Sequence, residues 1–265
     1  MSILEKIVGR VRERLETTQR ETPLAEVRAR AAAAALPPGF RAALERPGTA
    51  VIAEAKRASP SKGILRDPYD AAELAQLYER AGARALSVLT EPEFFLGAPQ
   101  DLQRVARGAA LPILRKDFIV SEYQIQEAKA WGASAVLLIV AVLESTELRD
   151  LAAIAAGLDL AALVEVHTEN EAERALAAGA HLVGVNNRDL STFTVDLNTT
   201  ARIAALVGPQ VLLVAESGIF TRRDVLEVER AGAKAVLVGE SLLASPDPTK
   251  KIHELLGLTR SEAEA

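Results

Sequence analysis

From Ala50 onward the chain repeats one alternation, a short apolar run followed by a longer segment of helical spacing, and it does so eight times. The runs lie at 50 to 55, 84 to 89, 111 to 115, 134 to 140, 161 to 166, 182 to 186, 211 to 215 and 234 to 239. They are nearly continuous in Val, Leu, Ile and Ala, as parallel strands covered on both faces must be. Eight strand-helix units is the number that closes an α/β-class (β/α)8 TIM barrel, and the 265 residues are close to the ~250 of one such barrel.

A weak internal repeat points the same way. Ala81-Gly82-Ala83, Trp131-Gly132-Ala133, Ala178-Gly179-Ala180 and Ala231-Gly232-Ala233 precede the second, fourth, sixth and eighth runs. Glycine just past a helix end takes the left-handed cap conformation at little cost, so these glycines need no role beyond closing helices. Their regular placement favours a closed barrel over an open doubly wound sheet.

Two further helices come before the first strand. Ile3, Leu4, Ile7, Val8, Val11 and Leu15 recur at helical spacing, and a second helix is expected from Pro23, as first helical residue, to about Ala35, where Pro37-Pro38-Gly39 ends it. The expected organisation is an extension over 1–48 packing on the barrel, a barrel over 49–258 and a tail over 259–265.

Composition removes several function classes. With 31 basic against 36 acidic residues the net charge is −5, so no broad cationic field exists to bind nucleic acid or anionic lipid. Cysteine is absent, which excludes disulfides and thiolate chemistry, and the three histidines (His167, His181, His253) are not spaced as metal ligands. The first residues lack a signal-peptide core, and no apolar run approaches the ~20 residues of a membrane span. A cytoplasmic protein with neither metal nor cofactor is the expectation.

Catalytic groups of a parallel barrel sit at the C-terminal ends of its strands. Here the first run ends in Glu54 and Lys56, which the period of two puts on one face; the third ends in Lys116, the fifth in Glu165, the seventh in Glu216, and the sixth continues into Asn186 and Arg188. A solvated ring that keeps the rim soluble explains any one of these residues about as well as catalysis does. Their recurrence shifts the balance, because a charge inside a strand run loses hydration and needs partners. Neighbouring lysines and carboxylates in a partly dry mouth shift one another's proton affinity and so suit acid/base work. Glu216-Ser217-Gly218-Ile219 after the seventh run and Val238-Gly239-Glu240-Ser241 after the eighth match the phosphate loops of a barrel, although each alone reads equally as a helix cap.

Ile52 to Gly63, reading IAEAKRASPSKG, resembles the signature of the indole-3-glycerol-phosphate synthases, enzymes of tryptophan biosynthesis. Leu86 to Glu91 with Phe94-Phe95, Leu114 to Ile119, Leu163 to His167, Val185 to Leu190 and Val214 to Ile219 continue the resemblance in order across the barrel. Ala55 is smaller than expected but points away from the mouth. The resemblance implies a carboxy-lyase that converts 1-(2-carboxyphenylamino)-1-deoxyribulose 5-phosphate to indole-3-glycerol phosphate, CO2 and water. It implies Lys116 as general acid, Glu165 as the proton-handling carboxylate with Asn186 and Lys56, Glu54 as partner of the lysines, Glu216 as a substrate orienter and Arg188 as anchor of the network. An ion pair of Arg188 with Glu54 or Glu216 is the structural alternative for that arginine. Phe95, Phe118, Leu137, Leu190 and Leu237 would wall the anthranilate ring. Ser59, Pro60, Ser217, Gly218, Gly239 and Glu240 would line the phosphate side, with Ser59 to Arg66 as a lid. The expected partner is this small phosphorylated molecule, with a weak association with other tryptophan-pathway enzymes. Phosphoribosylanthranilate isomerase, the nearest rival, usually needs a cysteine that is absent here; a silent phosphate-binding barrel would lack the lysines and glutamates.

Overall fold

The computed structural model describes residues 2–189 and 192–258. Three helices, α1 (Ile3–Glu21), α2 (Leu24–Ala33) and α3 (Phe40–Leu44), precede the strand β1 (Ala50–Ala55). A two-stranded antiparallel hairpin of β2 (Ala58–Ser59) and β3 (Gly63–Ile64) follows. Then come α4 (Ala71–Arg80), β4 (Ala85–Leu89), α5 (Pro99–Gly108), β5 (Ile113–Lys116), α6 (Glu122–Ala130), β6 (Ala135–Ile139), α7 (Ser145–Gly157), β7 (Ala161–Val166) and α8 (Glu169–Ala177). The chain closes with β8 (Leu182–Asn186), α9 (Asn198–Val207), β9 (Leu212–Glu216), α10 (Arg222–Arg230), β10 (Ala235–Val238), α11 (Glu240–Leu243) and α12 (Pro248–Leu256). The eight long strands pair in parallel as a closed barrel, β1 joining both β4 and β10. Each expected run holds its strand to within two residues.

Alternation within each strand sorts the core into two layers. Val51, Ala53 and Ala55, with Val136, Leu138, Val164 and Val166, face the helices, while Ala50, Ile52, Leu114, Leu137, Leu163 and Leu237 face the barrel interior. The same rule separates two adjacent cations. Arg115 turns outward, where it is 4% exposed, pairs with Asp117 at 2.9 Å and stacks on the Trp131 ring at 4.2 Å; Lys116 turns inward. Phe40 and Leu44 of α3 belong to the interior layer and stop the N-terminal end of the barrel. Burying one such side chain contributes about 1.5–3 kcal/mol.

The four repeat glycines have φ of 91°, 92°, 84° and 111° at Gly82, Gly132, Gly179 and Gly232, the left-handed caps expected of them. The extension is tied to the barrel by α2 against α6, with Arg28 bonded to Glu122 at 2.7 Å and the Tyr123 hydroxyl donating to the Thr22 carbonyl at 2.9 Å. Pro23 caps α2 from an extended backbone, its carbonyl accepting the Val27 amide, and so stands one residue outside the helix it was expected to begin. That helix ends at Ala33, short of Ala35, because Ala34 is extended. No described helix is long and apolar enough to cross a membrane. The tail expected over 259–265 lies outside the described residues.

Candidate functional site

A cavity of about 210 Å³ opens where the strands end. Among the residues that line it are Glu54, Lys56, Lys116, Glu165, Asn186, Arg188 and Glu216, every polar strand-end residue singled out above. Ser59, Pro60, Phe95, Phe118, Leu137, Ser217, Gly218, Leu237, Gly239 and Glu240 line it too, whereas Leu190 lies outside the described residues.

The centre of the site is Lys116. Its ammonium donates to Glu165 Oε2 at 2.7 Å and to Glu216 Oε2 at 3.2 Å, bridging β5 to β7 and β9 across the barrel. Asn186 donates to the other Glu165 oxygen at 3.2 Å, and Lys56 donates to Glu54 two residues before it. Burial works against the charge of Lys116, but Glu165, Glu216 and Glu54 outweigh it and raise its proton affinity well above the usual lysine value. The two carboxylates that share this ammonium are driven apart. Burial raises the proton affinity of both; Lys116 and then His167 reverse this at Glu165 and hold it below the usual range. At Glu216 the more distant ammonium does not overcome burial together with Glu165 and Glu54, and its affinity is raised. Two carboxylates with separated proton affinities around one cation can divide acid and base duties.

Missing side chains make the room for this layer. A Cβ on Gly184 would meet Glu216 Oε1 at 2.1 Å, and a Cβ on Gly239 would meet Glu54 Oε1 at 2.3 Å. Both glycines face the interior beside a carboxylate that any larger residue would displace. Behind the site, Asn187 is buried and joins the backbone of Glu216 to Thr200, donating to the Glu216 carbonyl at 3.0 Å and accepting from the Thr200 hydroxyl at 2.8 Å.

Arg188 pairs with neither Glu54 nor Glu216, the partners proposed for its structural role. It reaches Glu240 at 3.3 Å, and Lys62 from the hairpin turn reaches the other oxygen of the same carboxylate at 2.6 Å. The expected lid is thus an ordered hairpin tied across the mouth to α11. The rings of Phe95 and Phe118 lie 6.0 Å apart, tilted by 38°, on the apolar side. Ile3, Leu4 and Ile7 of α1 also line the cavity, so the extension helps build the mouth.

Sequence reasoning missed two residues. Lys62 is one basic residue in a loop, and only the fold shows its partner 178 positions away. His167 has no metal-ligand spacing to the other histidines, yet its Nε2 lies 3.4 Å from Glu165 Oε1. The period of two from Glu165 was a signal for it, since residues two apart share a face.

Residues 4–255 match the family model described as indole-3-glycerol phosphate synthase. The chain is 51% identical over 258 residues to the indole-3-glycerol phosphate synthase of Rhodococcus jostii (strain RHA1), covering 97% of this chain and 95% of that one. It is 49% identical to that of Roseiflexus sp. (strain RS-1), covering 97% and 98%, and 46% identical to that of Carboxydothermus hydrogenoformans, covering 96% and 99%. A crystal structure of 3-hexulose-6-phosphate synthase superposes with a TM-score of 0.64 at 15% identity, covering 80% of this chain and 100% of that one, which is a likeness of fold. Motifs, barrel and whole-length similarity agree: the chain belongs to the indole-3-glycerol phosphate synthase family.

Proposed function

We propose that the charged layer at the mouth closes the indole ring of 1-(2-carboxyphenylamino)-1-deoxyribulose 5-phosphate, with Lys116 as the proton donor. The observation that carries this reading is the single ammonium held between two buried carboxylates, open to the cavity. An ammonium held this tightly does not give its proton to water. It gives it to a strongly basic oxygen, which is what the substrate ketone becomes as the ring carbon bearing the carboxylate adds to it. The new carbon–carbon bond costs the ring its aromaticity, and loss of CO2 returns the electron pair to the ring.

Dehydration then takes the new hydroxyl from C2′ and a proton from C1′. Glu165, kept ionised by its neighbours, is the base for the second proton, steadied by Asn186, with Lys56 facing it from the opposite side of the barrel. Lys56, paired with Glu54, protonates the departing hydroxyl in this reading. Glu216, with its raised proton affinity, orients the amine and the hydroxyls as donor or acceptor. Phe95, Phe118, Leu137 and Leu237 receive the anthranilate ring, and Leu190 follows from the family resemblance alone. Ser59 and the backbone amides of Gly218, Gly239 and Glu240 take the phosphate beside Pro60 and Ser217. Lys62 and Arg188, already gathered on Glu240, bring positive charge to that side. None of these steps calls for a metal or cofactor.

In this reading residues 49–258 form the catalytic barrel, 1–48 its supporting extension and 259–265 a tail. The protein works in the cytoplasm on a small phosphorylated molecule, without nucleic acid or membrane, and meets its pathway neighbours weakly. Single-turnover mixing with Glu165→Gln tests the order of steps. The expected result is slowed later steps and accumulation of the hydroxylated, decarboxylated intermediate after ring closure; unchanged kinetics throughout would remove Glu165 from proton transfer.

A further inference from the structure

We infer that His167 is a positioning residue that holds Glu165 by its Oε1, so that a chain Glu171–His167–Glu165–Lys116 runs from the helical shell into the reacting cavity. The inference rests on the reading of Glu165 as the base. His167 continues the inward face of β7 beyond Glu165 but does not line the cavity, so it reaches the substrate only through that carboxylate. One side of the ring is fixed: the first turn of α8 supplies Glu171, whose Oε2 lies 3.1 Å from His167 Nδ1 and also accepts the His167 amide at 2.7 Å. A carboxylate on Nδ1 keeps a proton there and leaves Nε2 on the side of Glu165.

That opposite nitrogen is buried, makes no hydrogen bond, and lies 3.4 Å from Glu165 Oε1. An orphaned buried ring nitrogen facing a carboxylate is satisfied when it carries a proton and donates it. The charged groups around it favour that state. Burial lowers the proton affinity of His167, but Glu171, Glu165 and Glu216 together raise it above the usual histidine value, with Lys116 screened behind the two inner carboxylates. The imidazolium then holds the oxygen that Asn186 also touches, leaving Oε2 to Lys116. The base is thereby kept ionised and fixed in rotamer before substrate arrives.

Coupling of two charges is reciprocal, which supplies a test free of turnover. The ring protons of His167 report its midpoint directly by NMR. In Glu165→Gln the His167 midpoint should fall by about one pH unit. Conversely, in His167→Gln the acidic limb of the kcat profile should move up by about one pH unit with KM within about twofold, because a neutral amide still donates to Glu165 but no longer stabilises its charge. A residue that only supports the fold would lower the whole profile without moving its limb. Near-normal turnover in Glu165→Gln overturns both readings, since no base is then left to position. Slow turnover in that variant with an unmoved His167 midpoint overturns this inference alone.

Discussion

The two ends of the barrel are built from the same strands and solve opposite problems. At the N-terminal end the interior is Ala50, Ala235, Leu182 and Leu212, stopped by Phe40 and Leu44. Two to four residues further along the same strands, Ile52 gives way to Glu54, Leu114 to Lys116, Leu163 to Glu165 and Val214 to Glu216. The lower end gains stability by excluding water from apolar surface. The upper end keeps Glu54, Glu165 and Glu216 at 2–4% exposure, a costly arrangement tolerable only because lysines and an asparagine meet them. One side-chain step along a strand therefore separates a part that supports the fold from a part that the fold must support.

Substitutions at the two ends should separate turnover from stability. The largest effect on turnover is expected from Lys116→Ala, which should lower kcat by about 10²–10⁴ with KM changed only a few-fold. Steady-state kinetics check this, and a near-normal kcat would erase the functional difference between the ends. Gly184→Ala should lower kcat by about 10², because its Cβ must push Glu216 Oε1 out of a contact that would otherwise be 2.1 Å. Retained kcat would show that the position of Glu216 matters little. Phe40→Ala should cost about 3–5 kcal/mol in denaturant unfolding and leave the kcat of the folded fraction unchanged.

The smallest effect is a pH dependence. The proton affinity of Glu216 is raised in the folded protein, so the stability linked to its protonated form is present below the ordinary carboxylate range and is lost as pH rises through the folded value. Glu216→Gln escapes that loss. Its Tm relative to wild type should therefore climb by about 2–4 °C between about pH 5 and pH 8, as differential scanning calorimetry would report. A falling difference would mean that Glu216 is ionised at no cost.

Much of this was legible in the sequence because two periodicities were enough. The apolar runs located the strands, and alternation by two placed Glu54 with Lys56 and turned Lys116 inward. The limits were contacts with no local signal. The bond from Lys62 to Glu240 and the pair Arg188–Glu240 join loops that only barrel closure brings together. The stopper helix α3 is only five residues long, too brief for a periodic pattern. The roles of Gly184 and Gly239 depend on neighbouring strands, so a reader of one strand sees only a missing side chain. His167 is within reach of alternation, two residues beyond Glu165 on β7, although its spacing from the other histidines carries no signal.

Catalysis at the charged mouth is tested most directly by mixing the protein with 1-(2-carboxyphenylamino)-1-deoxyribulose 5-phosphate in buffer containing a chelator and following indole fluorescence, with Lys116→Ala in parallel. Turnover by the wild type that the chelator leaves untouched, with near-complete loss in the variant, is the expected result. Tight binding of the substrate without turnover would contradict it, and would make the charged mouth a binding surface rather than a catalytic one.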